Sequence, residues 1–108
     1  FGPAAAAGAL VAQGCGPGAP PQQVRWWKGE GGRVDFSSPE ARAWFRVRLN
    51  GTRAVMRAAG FKADDGEGGW FRPGACFASG ADLEAEARNR YTGWYYDTVA
   101  SYVEESLG

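Results

Sequence analysis

The chain has 108 residues, 44% of them hydrophobic, 14% aromatic and 22% charged, with 17 glycines, two cysteines and no histidine. That is one small globular domain rather than a disordered chain, with a large share of its length in loops. Twelve basic and twelve acidic residues give zero net charge, which speaks against a nucleic-acid partner, and the missing histidine removes Ser-His-Asp and Cys-His catalysis and leaves too few ligands for a zinc site.

The chain opens "FGPAAAAGALVAQGC" on a bare Phe1, which reads as a processed or trimmed end. Residues 1–23 are punctuated by Gly2, Pro3, Gly8, Gly14, Gly16, Pro17, Gly18, Pro20 and Pro21, so the expectation is an extended arm with at most one helical turn, at Ala4 to Ala7. The apolar run from Ala4 to Ala12 is about half the length that spans a bilayer. A single domain, residues 24–108, is expected to follow the arm.

"VRWWKGEGGRVDF" holds two short β-favouring runs, at 24–28 and 33–36, around a Gly-rich loop at 29–32. A small hairpin is expected there. In "SSPEARAWFRVRLNGTRAVMRAAGF", Ser38 stands as N-cap, Pro39 as first helical residue and Glu40 in the first turn, while Gly60 offers a left-handed terminator. Ala41, Phe45, Leu49, Thr52, Met56 and Ala59 share one helical face. A rival hairpin around Asn50-Gly51 lacks alternation after the turn, so a helix over residues 39–59 is expected.

Residues 62–79 read as a loop that Trp70, Phe71 and Phe77 tie to the core. A second helix is expected over 81–107, because Leu83, Ala87, Tyr91, Trp94, Thr98 and Tyr102 recur at spacings of three and four. Asp82, Glu84 and Glu86 suit its N-terminal dipole. The fold class is therefore mainly α: two helices packed through Phe45, Leu49, Met56, Leu83, Tyr91, Trp94 and Tyr102, with the arm and the hairpin attached.

Charge divides along the chain. Residues 1–60 carry eight basic and three acidic side chains, 8 − 3 = +5, and residues 61–108 carry four and nine, 4 − 9 = −5. Arg42, Arg46, Arg53 and Arg57 follow one side of the first helix and suit phosphates, lipid headgroups or an acidic protein surface, although pairing with Glu84, Glu86, Glu104 or Glu105 of the second helix is the favoured reading. Two cysteines in a small Gly-rich chain suggest a Cys15–Cys76 disulfide and an oxidising compartment, against the alternative of two buried thiols. Asp64, Asp65 and Glu67 are the densest acidic group; as oxygen ligands for a cation they lack EF-hand spacing, and a solvated loop is the favoured reading of them. Asn50-Gly51-Thr52 matches a glycosylation acceptor, a match that is accidental if the segment is helical.

The aromatic residues exceed what two helices bury. Trp26 and Trp27 beside the arm, and Tyr95 and Tyr96 in "YTGWYY", are the expected partner-binding surface together with the arginine stripe. "FGPAAAAGALVAQG" resembles the start of the transit segment of proteins imported into the complex plastids of red-lineage algae, with Phe first and Pro third, although it has no Ser, Thr, Lys or Arg. The resemblance covers about fourteen residues. It implies a plastid protein, thylakoid-associated on the lumenal side if the disulfide forms. The resulting expectation is a non-enzymatic accessory subunit docked on a larger, membrane-embedded complex such as a photosystem, with no cofactor and no catalytic residue. The alternative is a small secreted disulfide protein: a binder, an inhibitor, an effector or a carboxylate-based hydrolase.

Overall fold

A computed structural model describes residues 2–26, 29–57, 60–62 and 66–106. Expectations that fall on Phe1, Trp27, Ala59, Asp64, Asp65 and Leu107 lie outside the described residues, as does the side chain of Trp26. In chain order the elements are helix α1 (Gly2–Ala6), strands β1 (Ala12–Gln13), β2 (Val24–Trp26) and β3 (Gly29–Gly31), helix α2 (Pro39–Met56), a 3-10 turn (Gly68–Trp70), strand β4 (Ala75–Cys76), a π-helical turn (Leu83–Ala87) and helix α3 (Arg88–Ser106). The chain is mainly α with two small antiparallel sheets, β1–β4 and β2–β3.

The start of α2 is as the sequence predicts. Ser38 has extended backbone and its hydroxyl accepts a hydrogen bond from the Ala41 amide at 3.2 Å, with Pro39 following. The Asn50-Gly51 hairpin is absent. Asn50 is helical, and its Oδ1 accepts a hydrogen bond from the Tyr102 hydroxyl at 3.0 Å, so the glycosylation motif lies within a helix docked on α3. The far end differs from expectation. Arg57, not Gly60, takes the left-handed conformation (φ 53°, ψ 40°), and its amide closes the helix on the Arg53 carbonyl. Stopping there leaves Met56 72% exposed, together with Val47 and Val55, so Met56 is not in the helix–helix contact.

Helix α3 also starts later than its apolar period suggests. Asp82 caps a π-helical turn, accepting from the Ala85 amide at 2.8 Å, before regular helix begins at Arg88. The core is Val11, Val24, Phe36, Phe71, Phe77, Ala87 and Tyr91, with Phe45, Leu83, Trp94 and Tyr95 packed against it. Its aromatic rings meet edge to face: Phe71 with Phe77 at 5.1 Å, Phe71 with Tyr91 at 4.8 Å and Phe36 with Phe45 at 5.0 Å between centroids. Trp70, Phe71 and Phe77 were expected to tie the loop down; Phe71 and Phe77 are buried and Trp70 is half-buried.

The extended arm is not confirmed. Ala9 and Val11 are buried and contribute to the core, β1 pairs with β4, and Gln22 is 1% exposed. The Val11 amide donates to the Arg33 carbonyl and the Gln22 amide donates to the Val11 carbonyl. Such a Pro/Gly-rich segment packs because hydrogen bonds to the rest of the chain replace those that regular structure would make. The hairpin exists, in a different register: Val24 faces Gly31, Arg25 faces Glu30 and Trp26 faces Gly29. The glycines expected in its loop are the second strand.

Candidate functional site

The acidic loop is built from the sequence that follows residue 65. Gly66 is buried because a Cβ there would lie 2.2 Å from Tyr95 Cδ2, and at Gly68 one would lie 2.4 Å from the Arg88 carbonyl oxygen. Glycine at these two positions lets the loop touch α3 directly. The contact is fixed by polar bonds. Thr92 Oγ1 donates to the Gly66 carbonyl at 2.8 Å, and Arg88 Nη1 donates to the carbonyls of Gly68 and Gly69, both at 3.3 Å. Arg88 is itself held by Glu84 at 2.9 Å. Trp70 Nε1 reaches Glu67 Oε2 at 3.4 Å.

On the other side the loop is held by Gln22. Its Nε2 donates to the Arg72 carbonyl at 2.9 Å and to Gln13 Oε1 at 2.9 Å, while its Oε1 accepts from the Arg72 amide at 3.1 Å. A buried amide with all these partners acts as a cross-link between segments about fifty residues apart in sequence. Residues 66–72 are thus held by α3 at one end and by the Gln22 network at the other.

Two clefts flank this frame. One, of 450 Å³, lies between the hairpin and residues 70–72 and is lined by Gln23, Val24, Arg25, Glu30, Trp70 and Arg72. Here Glu30 accepts from Arg25 Nε at 2.8 Å, from Arg25 Nη2 and from Gln23 Nε2 at 2.6 Å. The hydrogen bond and charge of Arg25 hold its carboxyl below the ordinary carboxylate range, with Gln23 and Arg72 acting in the same direction. The second, smaller cleft has a volume of 230 Å³, with Gly66 and Tyr95 in its wall beside Arg33 and Tyr91.

Tyr91 does not supply a base in that cleft. Burial pushes its phenol up to about 12, against the opposing pull of Arg33, and its hydroxyl donates to the Val34 carbonyl at 2.7 Å. Both cysteines are consumed in the Cys15–Cys76 disulfide, whose Cα atoms are 5.4 Å apart, so neither is a thiol nucleophile. Carboxylate chemistry is what this loop can offer, through Asp64, Asp65 and Glu67, of which Glu67 is described and exposed.

The sequence-selected partner residues do not converge on these clefts as a group. Arg42 donates to the Phe36 carbonyl at 2.6 Å, and Arg46 bridges to α3 through Ser101 Oγ at 2.8 Å and Glu105. Arg53 and Arg57 lie side by side at the end of α2 with Asn50 and Ala54. Tyr95 packs on Phe36 and stacks on Tyr96, which is 45% exposed. Trp26 lies in β2. Sequence reading missed Gln22, Glu30 and Arg72. The Arg25–Glu30 pair becomes visible once Trp26 is paired with Gly29, because that register sets the two side chains opposite each other.

No family model matches the chain. A stretch of 47 residues is 47% identical to the myogenesis-regulating glycosidase of Mus musculus, covering 44% of this chain and 7% of that protein. The matched part is therefore a small fraction of the mouse protein's length.

Proposed function

We propose that this chain is the carboxylate-bearing segment of a glycoside-handling protein, with Asp64, Asp65 and Glu67 as the reacting group. The observation that supports it most is the 47% identity over 47 residues to a glycosidase. The chemistry agrees. Hydrolysis of a glycosidic bond needs two carboxyl groups, one to protonate the leaving oxygen and one to act on the anomeric carbon or on a water. It needs neither histidine nor thiol, and this chain has no histidine and has both cysteines tied in a disulfide. The close approach of Gly66 and Gly68 to α3 anchors the backbone on either side of Glu67.

The test is turnover of a panel of aryl α- and β-glycosides by the full chain, compared with Asp64→Asn, Asp65→Asn and Glu67→Gln. Loss of a reacting carboxylate should lower the rate by about a thousandfold or more while leaving the fold intact. The reading fails if the parent chain cleaves none of the panel.

A second reading keeps one specific observation. Val47, Val55 and Met56 are all at least 71% exposed on α2, an apolar face of the kind that protein contacts cover. It supports a subunit docked on a larger protein complex. Among the described residues no helix is long and apolar enough to cross a membrane. The disulfide is compatible with an oxidising compartment or the extracellular space. Val55→Asp with Met56→Asp should abolish co-purification with that complex; retention by the double variant would end this reading.

A further inference from the structure

The 450 Å³ cleft between the hairpin and residues 70–72 brings together an indole ring, a carboxylate and two guanidinium groups, and none of Asp64, Asp65 and Glu67 is among the residues that line it. Its volume falls within the roughly 300–1,000 Å³ of ordinary small-molecule sites. Three features define what would fit. Trp70 is half-buried and its indole N–H is already engaged by Glu67, so what it can offer a ligand in this cleft is ring surface. An aromatic face is electron-rich and attracts the weakly positive C–H groups on one side of a pyranose ring. Glu30 is an acceptor held in place by Arg25 and Gln23, each of its two oxygens accepting a hydrogen bond. Arg72 lines the same cleft near enough to act on the Glu30 carboxyl, and among the described residues its guanidinium has no hydrogen-bond or ion-pair partner.

We propose that this cleft binds one pyranose unit of a carbohydrate, stacked on Trp70, with its hydroxyls donating to Glu30 and accepting from Arg72 and Arg25. A flat apolar ligand would leave the Arg72 donors and the Glu30 acceptor unused, and a simple anion would leave the indole unused. A polyhydroxylated ring uses both. The inference rests on the glycoside reading and deepens it by adding a second place of contact beside the acidic loop. The frame joins the two: the loop carries Glu67 at one end and Trp70 and Arg72 at the other, three and five residues away.

The experiment is a titration of the ¹⁵N-labelled full chain with maltotriose, cellotriose and xylotriose, read at the backbone amide, tryptophan indole and arginine Nε–H resonances. At least one trisaccharide should give saturable shifts at Trp70, Arg72 and Arg25, and Glu30→Gln, Arg72→Ala and Trp70→Ala should each weaken binding by about tenfold or more. Glu30 and Arg72 lie in exposed segments, so these two variants carry the result even if Trp70→Ala unfolds. Shifts confined to Thr92, Tyr95 and the acidic loop would overturn the subsite and leave the glycoside reading standing. Shifts at Trp70 without turnover of any aryl glycoside would keep the subsite and overturn the hydrolytic reading. The absence of shifts with all three sugars would overturn the subsite, and turnover would then decide the other reading alone.

Discussion

Tyr91 shows how one side chain links the core to a pH-dependent stability. Its ring meets Phe71 and Phe36, and its hydroxyl reaches the Val34 carbonyl. Because the folded-state pKa is raised above the ordinary 10 to about 12, the folded chain holds this proton where the unfolded chain releases it. The stabilisation is complete below pH 10 and is lost as pH rises toward 12, by about 3 kcal/mol over that window. Tyr91→Phe should lose about 1 kcal/mol at neutral pH for the missing hydrogen bond, and its stability should fall less steeply than the parent's between pH 10 and 12. Urea titrations at pH 7, 10 and 11.5 measure both effects. Gly68 makes a second residue-scale case. Its Cβ would meet backbone atoms of Arg88, which cannot turn aside, so Gly68→Ala should cost about 2–3 kcal/mol by overpacking. Gly69→Ala, with nothing within 4 Å, should be nearly neutral. Equal melting temperatures for the two variants would mean that the loop does not rest on α3.

At the scale of elements, local chemistry was legible wherever a single residue type has a single physical use. Ser38, Pro39 and Glu40 marked the start of α2, the three-and-four spacing marked α3, and two cysteines marked the disulfide, all of which the structure contains. What sequence could not show was decided by contacts between segments. The hairpin register depends on Arg25 meeting Glu30, and the packing of residues 9–22 depends on acceptors supplied by residues 33 and 72. The candidate site was legible in part: its acidic residues stood out, whereas Gln22, which holds the loop, looks like any polar residue in a Pro/Gly-rich stretch. The end of α2 also ran against local preference, since Gly60 was at hand and Arg57 took the left-handed turn instead. A side chain there costs of order 1 kcal/mol relative to glycine. Arg57→Gly should accordingly raise the melting temperature by a few degrees. A drop in its melting temperature would show that the arginine makes a contact worth more than the backbone strain.

For the whole molecule, the two halves of opposite charge meet through apolar packing and through hydrogen bonds such as those of Gln22 with Arg72, Tyr91 with Val34 and Tyr102 with Asn50. Arg46–Glu105 joins them across α2 and α3, while Arg25–Glu30, Arg88–Glu84 and Arg90–Glu86 each stay within one half. Exposed pairs of that kind contribute little, so added salt should leave stability almost unchanged. The covalent link carries more. Cys15 and Cys76 are separated by 61 residues, and closing a loop of that length contributes about 4 kcal/mol in the chain-entropy account. It also clamps β1 on β4 and keeps residues 9–22 beside the core. A free-standing arm could be removed without harm. Here deletion of residues 1–23 takes away Ala9, Val11 and Gln22, which are each 1% exposed, along with one cysteine. Losing a buried valine alone costs about 1.5–3 kcal/mol of burial. Added to the disulfide, that approaches the whole stability of a domain this size, about 5–15 kcal/mol. The truncated chain should therefore have lost its cooperative melt, with its helical circular dichroism fading gradually on heating. Cys15→Ser with Cys76→Ser should retain a melt, shifted well below the parent's. A truncated chain that still melts cooperatively within a few degrees of the parent would show that the first 23 residues lie on the domain without being part of it.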